Sequence, residues 1–118
     1  MLGVFMQVSS ISPSLGSIIN GLDLSQDLSD NLISDLRTLW LERQVLVIRA
    51  QALCPSQYIS IAQKFGVPDI YPFLNGLPEF PEITPILKKE NETSNFGGVW
   101  HSDTTYQPTR PWQPCCML

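Results

Sequence analysis

The sequence predicts an α+β chain, and three observations carry that reading. An amphipathic helix is expected over residues 30–42. A β-branched run, Val45 to Arg49, follows it directly. A second helix is expected from Pro55 to Phe65.

Each element has a local cause. Ser29 can cap the first helix, and Asp30 places an anion where the helix dipole favours one. Leu32, Ile33, Leu36, Leu39 and Trp40 then recur at helical spacing and form one apolar face. The run VLVIR suits a buried strand. Pro55 fits the first position of a helix, Gly66 offers a stop, and Tyr58, Ile61, Ala62 and Phe65 form the inner face. Upstream, residues 4–11 partly alternate and suggest an edge strand. The segment PSLGSIINGLDLS suggests a turn joining brief strands. Downstream, five prolines between Pro68 and Pro85 forbid long helices, and EITPILKK reads as a further strand. ENETSNFGG reads as a mobile loop, and VWHSDTTY again has strand character.

Bulk properties narrow the function. Seven basic and eleven acidic residues give a net charge of −4, with no run of Lys or Arg, which argues against nucleic acid or an anionic membrane as partner. Cys54 stands alone and Cys115 and Cys116 are adjacent, so no C-x-x-C pair or disulfide framework is present. The opening MLGVFMQV lacks the basic region and cleavage site of a signal peptide, and no apolar stretch reaches transmembrane length. A soluble, cytoplasmic protein is expected. One histidine with three scattered thiols fits a zinc-binding domain poorly, and that reading ranks last.

The chemistry concentrates in Trp100-His101-Ser102-Asp103. On an extended strand, residues i and i+2 point to one side. His101 and Asp103 would then present an imidazole and a carboxylate to one point, with Ser102 facing away. One nitrogen and one hard oxygen donor make up two-thirds of a 2-His-1-carboxylate iron face. By itself H-x-D is a common pattern that most often marks a surface pair. Here His101 is the only histidine of the chain, follows a Gly-Gly pair and sits in an expected strand.

LGSIINGLDLSQDLSD, LWLERQVLVIRAQ, AQKFG, IYPFLNGLPEFPEI and NFGGVWHSDTTY occur in an order and spacing that resemble the taurine and phenoxyacetate dioxygenase family, TauD/TfdA-like, from about Ser9 to Pro111. The resemblance implies an incomplete double-stranded β-helix, a jelly roll of the clavaminate synthase-like kind with packed helices. It implies Fe(II), 2-oxoglutarate as co-substrate and dioxygen, with His101 and Asp103 matching the first His and the Asp of the metal site. It further implies hydroxylation of a small organic acid such as a sulfonate or sulfate ester. Tyr71 matches a position that holds a substrate-contacting His in taurine dioxygenase. The Tyr can equally be an aromatic packed beside Pro72. Asn95 and Phe96 fall in the loop where members of the family contact substrate.

The sequence also departs from that pattern. It holds no second histidine, no later Thr for 2-oxoglutarate, and no late Arg for the 2-oxoglutarate carboxylate; Arg110 lies in the wrong segment for that role. Cys54 stands where a Ser or Thr usually caps the second helix, a small expected loss of stability. Residues 1–111 are thus expected to be the front part of such a domain, and 112–118 an aberrant tail. Codons for WQPCCML read one base out of frame can give L-A-T-V-L-H-A, which suits the apolar strand expected there. A frame error, frameshift or alternative splice would explain it, and the nucleotide sequence decides. Two function classes follow: an oxidoreductase or a piece of one, inactive as this chain, and a non-catalytic paralogue or binding fragment with exposed sheet edges.

Overall fold

The structure is a computed structural model that describes residues 6–102, 107, 108 and 116. Two compact units divide the chain, Met1–Phe65 and Gly66–Leu118.

In the first unit the order is β1 (Gln7–Ser10), β2 (Ser17–Asn20), α1 (Asp30–Arg43), β3 (Leu46–Ile48) and α2 (Pro55–Phe65). These elements lie within a residue or two of their expected places; of the first strand, expected over 4–11, residues 7–10 are strand among the described residues. The three strands form one sheet in the order β1-β2-β3. β1 runs antiparallel to β2 with Val8 opposite Ile19 and Ser10 opposite Ser17. β2 runs parallel to β3 with Ser17 opposite Leu46 and Ile19 opposite Ile48. A parallel pair needs a crossover, and α1 supplies it. The sheet-and-helix unit is the α+β arrangement expected from the sequence.

α1 starts where Ser29 lends its side-chain oxygen to the Leu32 amide at 3.3 Å. It ends on Gln44, whose backbone is left-handed at φ 65. The Trp40 indole N–H donates to the Gln44 carbonyl at 2.9 Å and holds that end in place. Ile19 and Leu36 are fully buried, and Leu22, Leu28, Ile33 and Ile61 complete the core. Leu32, Leu39, Leu46, Ile48 and Phe65 pack around it. Burial of such aliphatic side chains is worth about 1.5–3 kcal/mol each, which makes this cluster the main source of stability in the unit.

Polar ties fix the rest. Ser17 is buried, and the Arg43 guanidinium donates to its hydroxyl at 3.2 Å. The same group donates to the carbonyls of Ser12, Pro13 and Gly16 at 2.6, 3.1 and 3.1 Å. One side chain therefore clamps the 11–16 loop to the end of α1. Gln51 does similar work between β2 and the segment after β3. Its amide accepts from Leu24 N–H at 2.9 Å and donates to the carbonyls of Leu22 and Arg49 at 2.6 and 2.7 Å. Asp23 closes the turn after β2, and the Ser25 hydroxyl and amide, with Gln26 behind them, hold its carboxyl below the usual carboxylate range.

α2 stops at Phe65, directly before Gly66, as expected. Three expectations need correction. β3 is half-buried rather than buried, because among the described residues it lies at the sheet edge with β2 on one side only. Residues 82–89 form no strand, since Pro85 removes a ladder donor. Instead the Leu77 amide donates to the Ile83 carbonyl at 2.9 Å and the Ile83 amide to Phe80 at 2.9 Å, closing a tight loop. Residues 99–102 form no strand either, because a strand is made by ladder partners and these residues have none among the described residues. Cys54 costs the second helix less than its missing hydroxyl suggests. The Gln57 side chain accepts from the Cys54 amide at 3.0 Å, which is half of a capping box.

Among the described residues no helix is long and apolar enough to cross a membrane.

Candidate metal-ligand segment

The second unit holds His101, and its local geometry begins at Asn95. The Gly98 amide donates to the Asn95 carbonyl at 3.1 Å and closes a turn. Gly97, the third residue of that turn, has φ +68, a conformation open to glycine at little cost. A Cβ built on Gly97 would also lie 3.5 Å from His101 Cε1, so the turn backs directly on the imidazole ring. The positive φ at position 97 is what favours glycine there, since a Cβ would meet the ring only at ordinary contact distance.

His101 is exposed, and its Nδ1 lies 2.7 Å from the Val99 carbonyl oxygen. A carbonyl only accepts, so Nδ1 carries the proton and, in the neutral ring, Nε2 carries the lone pair. Metal-ligating histidines commonly donate their other ring N–H to a carbonyl in this way, which sets both tautomer and ring orientation. Next to it Trp100 is fully exposed, as are much of Val99 and Phe96.

The other candidates fall as follows. Asp103 lies outside the described residues, as do Arg110 and all but Cys116 of the 112–118 tail. Tyr71 is half-buried and meets Phe73 edge to face, with ring centroids 5.6 Å apart and planes at 73°. An aromatic pair of this kind is compatible with packing and with a place at a pocket edge. Asn95 is exposed, and its side-chain oxygen accepts from the Lys88 ammonium. Sequence reasoning missed Lys88, because nothing in a KKEN stretch says which of two lysines turns toward a residue seven positions on. Among the described residues no three His, Cys, Asp or Glu side chains stand together as a metal site.

Residues 7–112 match the family model described as "Taurine catabolism dioxygenase TauD, TfdA family". The chain belongs to this family. Relatives within and around the TauD/TfdA family support the placement. An (S)-phenoxypropionate/alpha-ketoglutarate-dioxygenase of Sphingobium herbicidovorans is 27% identical over 87% of this chain and 37% of its own length. An alpha-ketoglutarate-dependent sulfonate dioxygenase of Saccharomyces cerevisiae is 29% identical over 90% of this chain and 28% of its own length. The crystal structure of a taurine dioxygenase from Burkholderia xenovorans aligns with TM-score 0.60 and 26% identity over 64% of this chain and 28% of that one. The chain therefore spans about a third of the length of the TauD/TfdA relatives it matches. Its sheet and helices correspond to part of their fold.

Proposed function

We propose that this chain is the front part of an Fe(II)- and 2-oxoglutarate-dependent dioxygenase that hydroxylates a small organic acid, with His101 and Asp103 as two of its iron ligands. The observation that carries the reading is the match over residues 7–112, which spans the H-x-D pair. The Nδ1 contact of His101 to Val99 supports it, since that tautomer keeps the Nε2 lone pair available in kind for a transition metal.

When bound, iron with 2-oxoglutarate and dioxygen supplies the oxidising power for hydroxylation. What this chain contributes is donor chemistry. His101 offers a neutral nitrogen and Asp103 a carboxylate, so the pair is borderline-soft on one side and hard on the other. A facial triad needs a further imidazole, and residues 1–118 contain only His101. Two ligands hold a divalent ion weakly, so catalysis belongs to a protein of the relatives' length. Residues 1–111 form the ligand-bearing front of the domain in this reading, and the substrate is a sulfonate, aryloxy acid or similar small acid, as in the relatives. Tyr71 and Asn95 are proposed to border the substrate side.

The test is cobalt(II) binding, followed by the visible absorption of the bound ion, a readout that each variant shares. His101→Ala and Asp103→Ala are each expected to weaken cobalt binding at least tenfold. If Asp103→Ala leaves the affinity unchanged, the two residues do not share a metal and the proposal fails.

A further inference from the structure

Lys88 reaches the segment that carries His101 from outside it. Its ammonium donates to the Asn95 side-chain oxygen, seven residues away. The other hydrogen bonds named here around this stretch are short in sequence. Lys89 N–H meets Glu92 Oε2 at 3.2 Å across three residues, and His101 Nδ1 meets Val99 across two. Asn95 is also the residue whose carbonyl closes the turn with Gly98 at 3.1 Å. On the far side of that turn, Gly97 sits under the imidazole, where an added Cβ would be 3.5 Å from Cε1. Hydrogen bonds thus run from the Lys88 ammonium to Asn95 and across the turn to Gly98, and Gly97 places that turn beside the His101 ring.

We propose that Lys88 is a positioning residue for His101: by pinning Asn95 it holds the Asn95–Gly98 turn against the imidazole, and so fixes the ring in the orientation that bonds Nδ1 to Val99. The claim about metal affinity rests on the iron-ligand reading above; the claim about ring orientation does not. The physical case is one of entropy. Residues 99–102 have no strand ladder among the described residues to fix their backbone, so the turn beside the ring contributes to its orientation together with the Nδ1 bond to Val99. A turn tethered at one corner loses fewer alternatives when the ring binds an ion. The tether is a charged donor on a neutral amide oxygen, stronger than a bond between two neutral groups.

His101 is the only histidine of the chain, so its ring nitrogens can be read without ambiguity by nitrogen NMR. At a pH where the ring is neutral, the wild-type chain is expected to show the Nδ1–H tautomer. Lys88→Met and Asn95→Ala are expected to shift the signal toward the Nε2–H form usual for free imidazole. Lys88→Arg and Asn95→Asp, which keep a cation-to-oxygen tether, are expected to retain the Nδ1–H signature. In a cobalt(II) titration, Lys88→Met should weaken binding about three- to tenfold, less than loss of a direct outer partner of a ligating histidine, and Lys88→Arg should restore it. An unchanged tautomer signal in both Lys88→Met and Asn95→Ala overturns the proposal. If wild-type His101 ignores cobalt(II) altogether, the iron-ligand reading fails, and the tautomer comparison alone decides the role of Lys88.

Discussion

Arg43→Met offers the sharpest test of how the first unit holds together. The guanidinium makes four bonds, to Ser17 Oγ at 3.2 Å and to the carbonyls of Ser12, Pro13 and Gly16 at 2.6, 3.1 and 3.1 Å. They are not equal. The Pro13 carbonyl is exposed, so water replaces its donor at little cost. The Gly16 carbonyl also accepts from Ile11 N–H at 2.9 Å and stays satisfied. The Ser17 hydroxyl is different, because Ser17 is only 1% exposed and loses the donor that reaches it. A buried polar atom left unpaired costs about 1–3 kcal/mol, and the charged bond to Ser12 adds roughly 1 kcal/mol or more. The expected total is about 2–4 kcal/mol, since the stem of Met keeps some of the packing of Arg. With a urea slope of about 1–3 kcal/mol per molar, the unfolding midpoint should fall by roughly 1–2 M. Hydrogen exchange gives the local readout. The Gly16 amide donates to the Arg43 carbonyl at 2.8 Å and the Ser17 amide to Val45 at 2.9 Å. Both should exchange at least tenfold faster in the variant, a factor that corresponds to about 1.4 kcal/mol. Arg43→Lys should recover only part of the loss, because one ammonium cannot span the fork. A midpoint within 0.2 M of wild type (a shift of about half a kcal/mol or less), with Ser17 still protected, would refute the clamp.

Two further perturbations read other parts of the molecule. A Cβ on Gly76 would lie 2.0 Å from the Pro81 carbonyl oxygen, a backbone atom that cannot step aside, so Gly76→Ala should open the 77–83 loop. Amide shifts over residues 76–83 check this, and Gly66→Ala, where a Cβ meets nothing within 4 Å, serves as the silent control. The Cys54 thiol lies 3.1 Å from the Ser56 hydroxyl, and that contact, followed by the backbone N–H of Gln57, lowers its pKa below that of an ordinary thiol. A lowered value means thiolate at lower pH, so the half-maximal rate of Cys54 alkylation, followed by peptide mass, should fall at lower pH than in an unfolded control. Ser56→Ala should move it back up. A midpoint equal in both would remove the Ser56 contact as the cause.

Much of the first unit was legible because its causes are local in sequence. Ser29, Asp30 and the Leu32 to Trp40 spacing fix α1 within the chain itself, and Pro55 with Gln57 does the same for α2. The ends were less legible. α1 stops on a left-handed Gln44, where Trp40 reaches its carbonyl, and no glycine announces that stop. The strand expected at 82–89 failed for the opposite reason. Its composition suits a strand, but a strand exists through partners, and Pro85 removes a donor from any ladder it joins.

The candidate site divides along the same line. Residue identity alone gave the donor chemistry: a lone imidazole two positions before a carboxylate, in a segment that resembles a dioxygenase family to which the chain belongs. Tertiary structure decided which ring nitrogen carries the proton, that Gly97 lies beneath the ring, and that Lys88 rather than Lys89 holds Asn95. It decided equally that Arg43, unremarkable as the last basic residue of a helix, clamps a loop some thirty residues earlier. The reason is general. Spacing along a chain encodes which side chains share a face of one element, whereas bonds between separate segments depend on backbone positions that only the folded chain supplies.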